Sequence, residues 1–235
     1  MARRKLADGV LERIGADIAA DRYLPGSAIP TEPELMESLG VGRSSVREAI
    51  RVLASLGMVQ TAPRRGTIVA PRGEWNILNR DVMRWMMDSG LHTAELLGAI
   101  NEARRIFEPA SAALAARKAS RMQIIAIEAA YARMEEAAAQ GDSEAAIEAD
   151  REFHLAVQHA MANPILGAFD AALDAILGLL FSVTANHMNN FRANLPNHLA
   201  VLEAIRRRDP EAAERAMIDM IDFTSAKMRE LRLIA

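Results

Sequence analysis

Leu39-Gly40-Val41-Gly42-Arg43-Ser44-Ser45-Val46-Arg47-Glu48-Ala49-Ile50-Arg51-Val52-Leu53 decides how the first third of this chain folds. Val46, Ala49, Ile50 and Leu53 recur at the 3.6-residue period, with Leu56 next on the same stripe, so an amphipathic helix is predicted. Gly40-Val41-Gly42 leaves room only for a tight turn before it, and Gly57 stops it. Upstream, Thr31-Glu32-Pro33-Glu34 reads as a capping box opening a short helix with Leu35, Met36 and Leu39 on its apolar side. Further back, Leu6, Val10, Ile14 and Ile18 mark another helix, ended by Tyr23-Leu24-Pro25-Gly26. Downstream, residues 58–61 and 67–70 are strand-like and joined by Ala62-Pro63-Arg64-Arg65-Gly66. Helix, helix, tight turn, helix and a basic-tipped hairpin is the order of a winged helix-turn-helix.

The third helix carries the chemistry. Arg43, Arg47 and Arg51 are spaced four apart opposite the apolar stripe, with Ser44 beside them. An arginine near the helix start can fork onto guanine O6 and N7 while its neighbours clamp phosphates. Arg64 and Arg65, beside Gly66, suit a minor groove or the DNA backbone. The plainer alternative is a solvated helix face that happens to carry arginines.

The net charge of −3 on 235 residues divides unevenly. Residues 1–73 hold 11 Lys and Arg against 8 Asp and Glu, a net of +3, and the remainder holds 17 against 23, a net of −6. A basic head on an acidic body is expected when one end meets a polyanion. With no cysteine, thiolate catalysis, disulfides and Cys-based metal sites are excluded. The longest apolar stretch, residues 175–185, is broken by Gly178, Ser182 and Thr184 and falls short of the roughly 18 residues of a membrane span. The basic start, Met1-Ala2-Arg3-Arg4-Lys5, is not followed by the apolar run of a signal peptide, so a cytoplasmic protein without a membrane partner is expected.

Residues 71–80 read as a linker into a short helix over 82–87, and everything beyond reads helical. Helices are predicted over 93–118, 121–139, 143–162, 164–187, 196–207 and 210–231, with breaks at Gly141, Asn163-Pro164, Asn189-Asn190, Leu195-Pro196 and Asp209-Pro210. The expected fold is mostly α: a winged helix-turn-helix over 1–73, a linker and short helix over 74–92, and an all-α bundle over 93–235.

Several polar residues in the body sit where core residues belong. Asp150 and His154 lie one turn apart on a stripe with Ile147, Val157 and Met161, and His198 shares a face with Val201, Leu202 and Ile205. Arg104 aligns with Ile100, Phe107 and Ser111 and so borders the apolar side, whereas Arg105 keeps company with Asn101 and Glu108. Buried charges need partners, a metal or a ligand. An Asp-x-x-x-His pair is a sound two-ligand grip for zinc, nickel or manganese, and equally a hydrogen-bonded core pair. His92, His159 and His187 show no such alignment.

Two resemblances add to this reading. Tyr23-Leu24-Pro25-Gly26-Ser27-Ala28-Ile29-Pro30-Thr31-Glu32, the stretch from Leu39 to Leu53, and Arg65-Gly66-Thr67-Ile68-Val69 resemble the DNA-binding signature of the GntR superfamily. That implies operator contacts at Arg43, Ser44, Ser45, Arg47, Arg65 and Gly66. Gly42 stands where Ser or Thr usually caps, and Pro33 where several members place a DNA-contacting arginine, so no contact is carried to that position. The body is similar to the FCD domain of the FadR subfamily through Glu102-Ala103-Arg104-Arg105-Ile106-Phe107-Glu108-Pro109, Asp150-Arg151-Glu152-Phe153-His154, Asn163-Pro164 and Asn197-His198-Leu199. The resemblance implies a homodimer, a divalent metal on Asp150, His154 and His198, and an effector carboxylate on Arg104. It also places Met220, 22 residues after His198, where many members supply a fourth histidine ligand. Val69-Ala70-Pro71-Arg72, Trp75-Asn76, Asp81-Val82 and Trp85 resemble the galactonate-type members, implying a sugar acid, an aldonate or hexuronate, as effector.

The expected function is therefore a repressor, not an enzyme. It would bind double-stranded operator DNA through Arg43, Ser44, Ser45, Arg47, Arg65 and Gly66 and sense a small carboxylate through Arg104, Asp150, His154 and His198. Two rivals differ in what the inward polar residues do. An acyl-thioester sensor wants an apolar tunnel, and a metal-dependent hydrolase would use Asp150, His154 and His198 to activate water.

Overall fold

The computed structural model describes residues 2–62, 65–184 and 188–234. They divide into two units, one ending at Thr93 and one beginning at Ala94.

In the first unit α1 (Ala2–Ala19) supports α2 (Glu32–Leu39) and α3 (Arg43–Ser55), followed by the antiparallel pair β1 (Val59–Ala62) and β2 (Gly66–Val69). Val10, Ile14 and Ile18 of α1, Leu35 of α2, and Val46, Ala49 and Leu53 of α3 are buried together with Met58 and Val69. Glu34 closes the start of α2, accepting from the Thr31 amide and hydroxyl at 2.7 Å each, and these two bonds pull its carboxyl below the usual range. Gly40, at φ +64°, ends that helix in the left-handed region, and Gly42 opens α3 without a side-chain cap. The hairpin register pairs Val59 with Val69 and Thr61 with Thr67. The outer edge of β2 is covered by the segment after α1, through Gly26 N to Val69 O at 2.8 Å and Ile29 N to Thr67 O at 2.9 Å.

A 3-10 turn (Arg72–Glu74) leads to α4 (Arg80–Asp88), whose N-cap Asn79 accepts from Asp81 N and Val82 N. Val82, Met83, Trp85 and Met87 are buried, and α4 lies on α1. Gly15 leaves the notch for the Trp85 ring: a Cβ there would stand 2.5 Å from a ring carbon. Arg84 forks onto Glu12 at 2.7 and 2.6 Å.

The second unit consists of α5 (Thr93–Lys118), α6 (Arg121–Gln140), α7 (Ser143–His159), α8 (Pro164–Gly167), α9 (Asp170–Thr184), α10 (Met188–Arg206) and α11 (Pro210–Glu230). Its core joins Ala112, Ala115 and Ala116 of α5 to Ile127 and Met134 of α6, Phe153 and Val157 of α7, Val201 and Ile205 of α10, and Met217 and Ile221 of α11. Alanines on α5 allow the close approach of neighbouring helices. None of the described helices is long and apolar enough to cross a membrane.

Two helix boundaries differ from expectation. The helix expected over 164–187 is broken after Gly167, so α8 is a single turn capped by Asn163 and α9 starts afresh at Asp170. The break expected at Asn189-Asn190 and Leu195-Pro196 is absent, and α10 runs through Pro196. Proline in a helix interior costs about 3 kcal/mol through its missing N–H and ring clash. Packing offsets it: Val201, Leu202 and Ile205 are buried beyond the proline, and before it Arg192 donates to the Ala138 carbonyl at 2.9 and 2.7 Å. Arg64 and His187 lie outside the described residues.

Candidate functional site

In the first unit, α3 presents Arg43, Ser44 and Arg47 to solvent, with the Arg43 and Arg47 side chains 69% and 62% exposed, while Ser45 is buried against the unit. Both arginines face Glu32 at the start of α2: Arg43 Nε is 3.3 Å from one carboxylate oxygen and Arg47 Nε is 3.4 Å from the other. Exposed pairs of this kind contribute little, and Glu32 holds the two guanidinium groups side by side. On the wing, exposed Arg65 donates to the Gly26 carbonyl at 3.2 Å, and Gly66 takes φ +77° where the hairpin turns. The role of Glu32 was not evident from the sequence, where it reads only as part of a capping motif.

The buried polar cluster of the second unit draws on α5, α7 and α10. Asp150, His154, His198, Arg104 and Glu108 are each at most 6% exposed. His198 Nε2 lies 2.9 Å and His154 Nε2 3.4 Å from the same oxygen, Asp150 Oδ1. The other ring nitrogens face outward from this point. His198 Nδ1 is 3.0 Å from the Asn194 carbonyl, to which it donates, and His154 Nδ1 is 2.6 Å from Glu108 Oε2. Glu108 also takes Arg104 Nε at 2.5 Å, and Arg104 Nη2 reaches to 3.4 Å from His154 Nε2. Arg104 Nη1 is buried, with no hydrogen-bond partner among the described residues.

The electrostatics follow from that geometry. Burial would raise the Glu108 carboxyl, but Arg104 and His154 hold it down to about 2. Burial would likewise raise Asp150, yet His198 and His154 keep it well below the usual carboxylate range. Burial opposes charge on His154, and Glu108 and Asp150 override it, lifting the imidazole to about 9. Two buried carboxylates are thus matched by Arg104 and a protonated His154.

Asp150, His154 and His198 each offer a donor atom within 4.8 Å of the others, and these three can hold a metal ion. The ring orientations fit such a role. A metal-binding histidine typically donates its second N–H to a carbonyl or carboxylate, as His198 does to Asn194 and as the Nδ1 of His154 is placed to do toward Glu108. With Nδ1 turned to the Asn194 carbonyl, His198 directs Nε2 at Asp150, toward the point where a shared cation would sit. Met220 is buried in the apolar core, and among the described residues no fourth His, Cys, Asp or Glu joins the three.

The structure therefore brings together Arg104, Asp150, His154 and His198 from three helices and adds Glu108. The α5 assignment needs correction. Glu108 and Asn101, grouped with Arg105 rather than with Arg104, are 2% and 8% exposed and share the inner face with Arg104. Arg105 alone of that group faces outward, paired with Asp222 at 2.7 Å. The buried arc of α5 takes in Asn101, Arg104, Glu108 and Ser111 beside the apolar Leu97, Ile100 and Ala112, and so is wider than strict apolar periodicity marks. The Arg104-to-Glu108 spacing of four was the available signal. His159 is exposed and paired with Asp170 at 2.8 Å, apart from the cluster.

Comparisons with known proteins agree with both halves. Residues 6–69 match the gntR family of bacterial regulatory proteins, and residues 99–223 match the FCD domain. The chain is 33% identical to the galactonate operon transcriptional repressor of Escherichia coli (strain K12), over 95% of this chain and 97% of that one. It is 30% identical to the HTH-type transcriptional repressor NanR of Enterobacter sp. (strain 638), over 96% of this chain and 86% of that one. Among solved structures, Streptococcus agalactiae GntR superposes with a TM-score of 0.54 at 25% identity, covering 94% of this chain and 99% of that one. Lar, which controls the agr system of Listeria monocytogenes, superposes with a TM-score of 0.69, covering 95% and 96%; at 18% identity it speaks for the fold alone. These relatives are regulators, which sets aside the hydrolase reading of the cluster. The chain belongs to the GntR family of transcriptional regulators, with a C-terminal FCD domain.

Proposed function

We propose that this regulator is a homodimeric repressor of sugar-acid catabolism whose operator affinity falls when a small carboxylate binds the second unit. The observation that carries the reading is the buried Arg104, whose Nη1 lacks a partner beside the Asp150, His154 and His198 cluster. A desolvated guanidinium with an unused donor suits an incoming carboxylate. The likeness to a galactonate operon repressor supports an aldonate or hexuronate as that acid.

Glu108 holds Arg104 by its Nε edge, leaving Nη1 for the ligand. Asp150, His154 and His198 would hold a divalent ion, zinc, nickel or manganese, which supplies a Lewis-acid anchor for effector oxygens. Arg43, Ser44, Arg47, Arg65 and Gly66 are assigned to operator contact, on the strength of the exposed Arg43–Arg47 pair on α3 and the wing that follows it, whereas the buried Ser45 side chain is withdrawn from that set. Ligand binding changes operator affinity only if the two conformations of the regulator differ in affinity for that ligand.

The test is titration of galactonate, gluconate and the common hexuronates into the protein–operator complex. Release by a member of this set is expected. Unchanged DNA affinity across the set would sink the reading.

A further inference from the structure

Asn101 stands one turn before Arg104 on the inner face of α5 and is buried, only 8% exposed. Its Nδ2 donates to Ser225 Oγ of α11 at 2.6 Å. The Ser225 hydroxyl in turn donates to the Ile221 carbonyl at 2.8 Å. A hydroxyl has one proton, so Ser225 can only accept from Asn101. That fixes the amide orientation: Nδ2 faces Ser225 and Oδ1 points away from it, buried and without a hydrogen-bond partner among the described residues.

The inner face of α5 therefore holds two unused groups at an i, i+3 spacing, an acceptor on Asn101 and a donor on Arg104 Nη1. Orphaned buried groups are rare in folded proteins, because each forfeits its hydration. The polar character extends beyond them. Next to Ser225, Thr224 accepts from Asn194 Nδ2 at 3.3 Å, and the Asn194 carbonyl is the one that orients His198.

We propose that Asn101 is a specificity-determining residue, whose Oδ1 accepts a hydrogen bond from a hydroxyl of the bound acid while Arg104 takes its carboxylate. This rests on the sugar-acid reading above and narrows it to a ligand that carries a hydroxyl donor as well as an acid group. An acyl chain has no donor to offer and would leave Oδ1 desolvated and unpaired. A second carboxylate would bring lone pairs against it.

The experiment is calorimetric titration of the full-length protein with galactonate and with galactonates lacking one hydroxyl at a time, repeated on Asn101→Ala and Ser225→Ala. For the unaltered protein, one deoxy position is expected to lose about tenfold to a hundredfold in affinity, the range for stranding a buried acceptor. In Asn101→Ala, galactonate falls to that weaker level and the sensitive hydroxyl ceases to matter. Ser225→Ala keeps the acceptor but frees the amide to turn, so discrimination at the same hydroxyl shrinks, and this variant serves if Asn101→Ala is poorly folded. Equal binding of all deoxy acids to the unaltered protein, or undiminished discrimination in both variants, overturns the assignment of Asn101 while leaving the effector class standing. If neither galactonate nor any other aldonate or hexuronate binds, the effector reading falls and this inference with it.

Discussion

The Glu108 carboxylate bridges Arg104 and His154: one oxygen takes Arg104 Nε at 2.5 Å and the other stands 2.6 Å from His154 Nδ1. One buried side chain thereby orients both the guanidinium assigned to the effector and an imidazole assigned to the metal. Removing one member of a buried pair leaves an uncompensated charge, at about 3–5 kcal/mol. Glu108→Ala is expected to lower the thermal midpoint of the second unit accordingly. Glu108→Gln keeps the shape and is expected to weaken zinc binding by about 10–100-fold, the range for losing a partner of a metal-binding histidine. Zinc titration of the refolded variant checks this, and unaltered affinity would detach Glu108 from the metal role.

Stability of chelator-treated protein should depend on pH in two directions. His154 titrates near 9 in the fold against 6.5 in a free chain, so the folded state holds a proton that the unfolded state has released. Its contribution is complete below 6.5 and is lost as pH rises through about 9. Glu108 titrates near 2 against 4.5, so its contribution is present above 4.5 and is lost as pH falls toward 2. Urea unfolding of the metal-free protein is expected to be most resistant between those limits. Saturating zinc requires a neutral His154 and should remove the alkaline decline. A flat metal-free profile from pH 6.5 to 9 would contradict the charge assigned to His154.

Arg104→Lys keeps a positive charge for Glu108 but loses the fork. It is expected to fold, to bind operator as the unaltered protein does, and to lose at least about tenfold in effector affinity, because an ammonium cannot grip a carboxylate bidentately. Effector titration against the operator complex checks this, and an undiminished response would show Arg104 to be misassigned.

Arg43→Ala and Arg47→Ala should each cost about 1–3 kcal/mol of operator affinity if they read base edges, and should mainly flatten the salt dependence if they hold phosphate. Affinities measured at several salt concentrations on operator and on unrelated DNA separate the two. Glu32→Gln releases both arginines and is expected to raise affinity for unrelated DNA more than for operator.

In a free helix Gly→Ala stabilises by about 1 kcal/mol. At Gly15 the sign should reverse, since the new Cβ would stand 2.5 Å from the Trp85 ring. Overpacking of this kind costs about 1–3 kcal/mol. Thermal unfolding of Gly15→Ala is expected to show a less stable first unit, and a rise in stability would show that α4 yields.

Local signals made most elements legible. The Thr31–Glu34 cap, Gly40, Gly141 and the Asp209 cap before Pro210 act within a turn of where they stand, and the helices begin and end there. Pro196 shows the limit of such signals. Its intrinsic cost is local, but the burial of Val201, Leu202 and Ile205 that offsets it depends on helices far along the chain.

By itself, the sequence determined the winged head with its exposed arginines, the helical body, and the identity of Arg104, Asp150, His154 and His198 as polar residues on apolar stripes. Those properties follow from period, caps and composition, which act over a few residues. Only the tertiary structure decided that Asn101 and Glu108 face inward and Arg105 outward, and that Asp150 Oδ1 is the point on which both histidines converge. It also decided that α4 packs on α1 through the Gly15 notch. Helix periodicity fixes which residues share a face, but the arc that is buried is set by the neighbours that cover it, and those come from elsewhere in the chain.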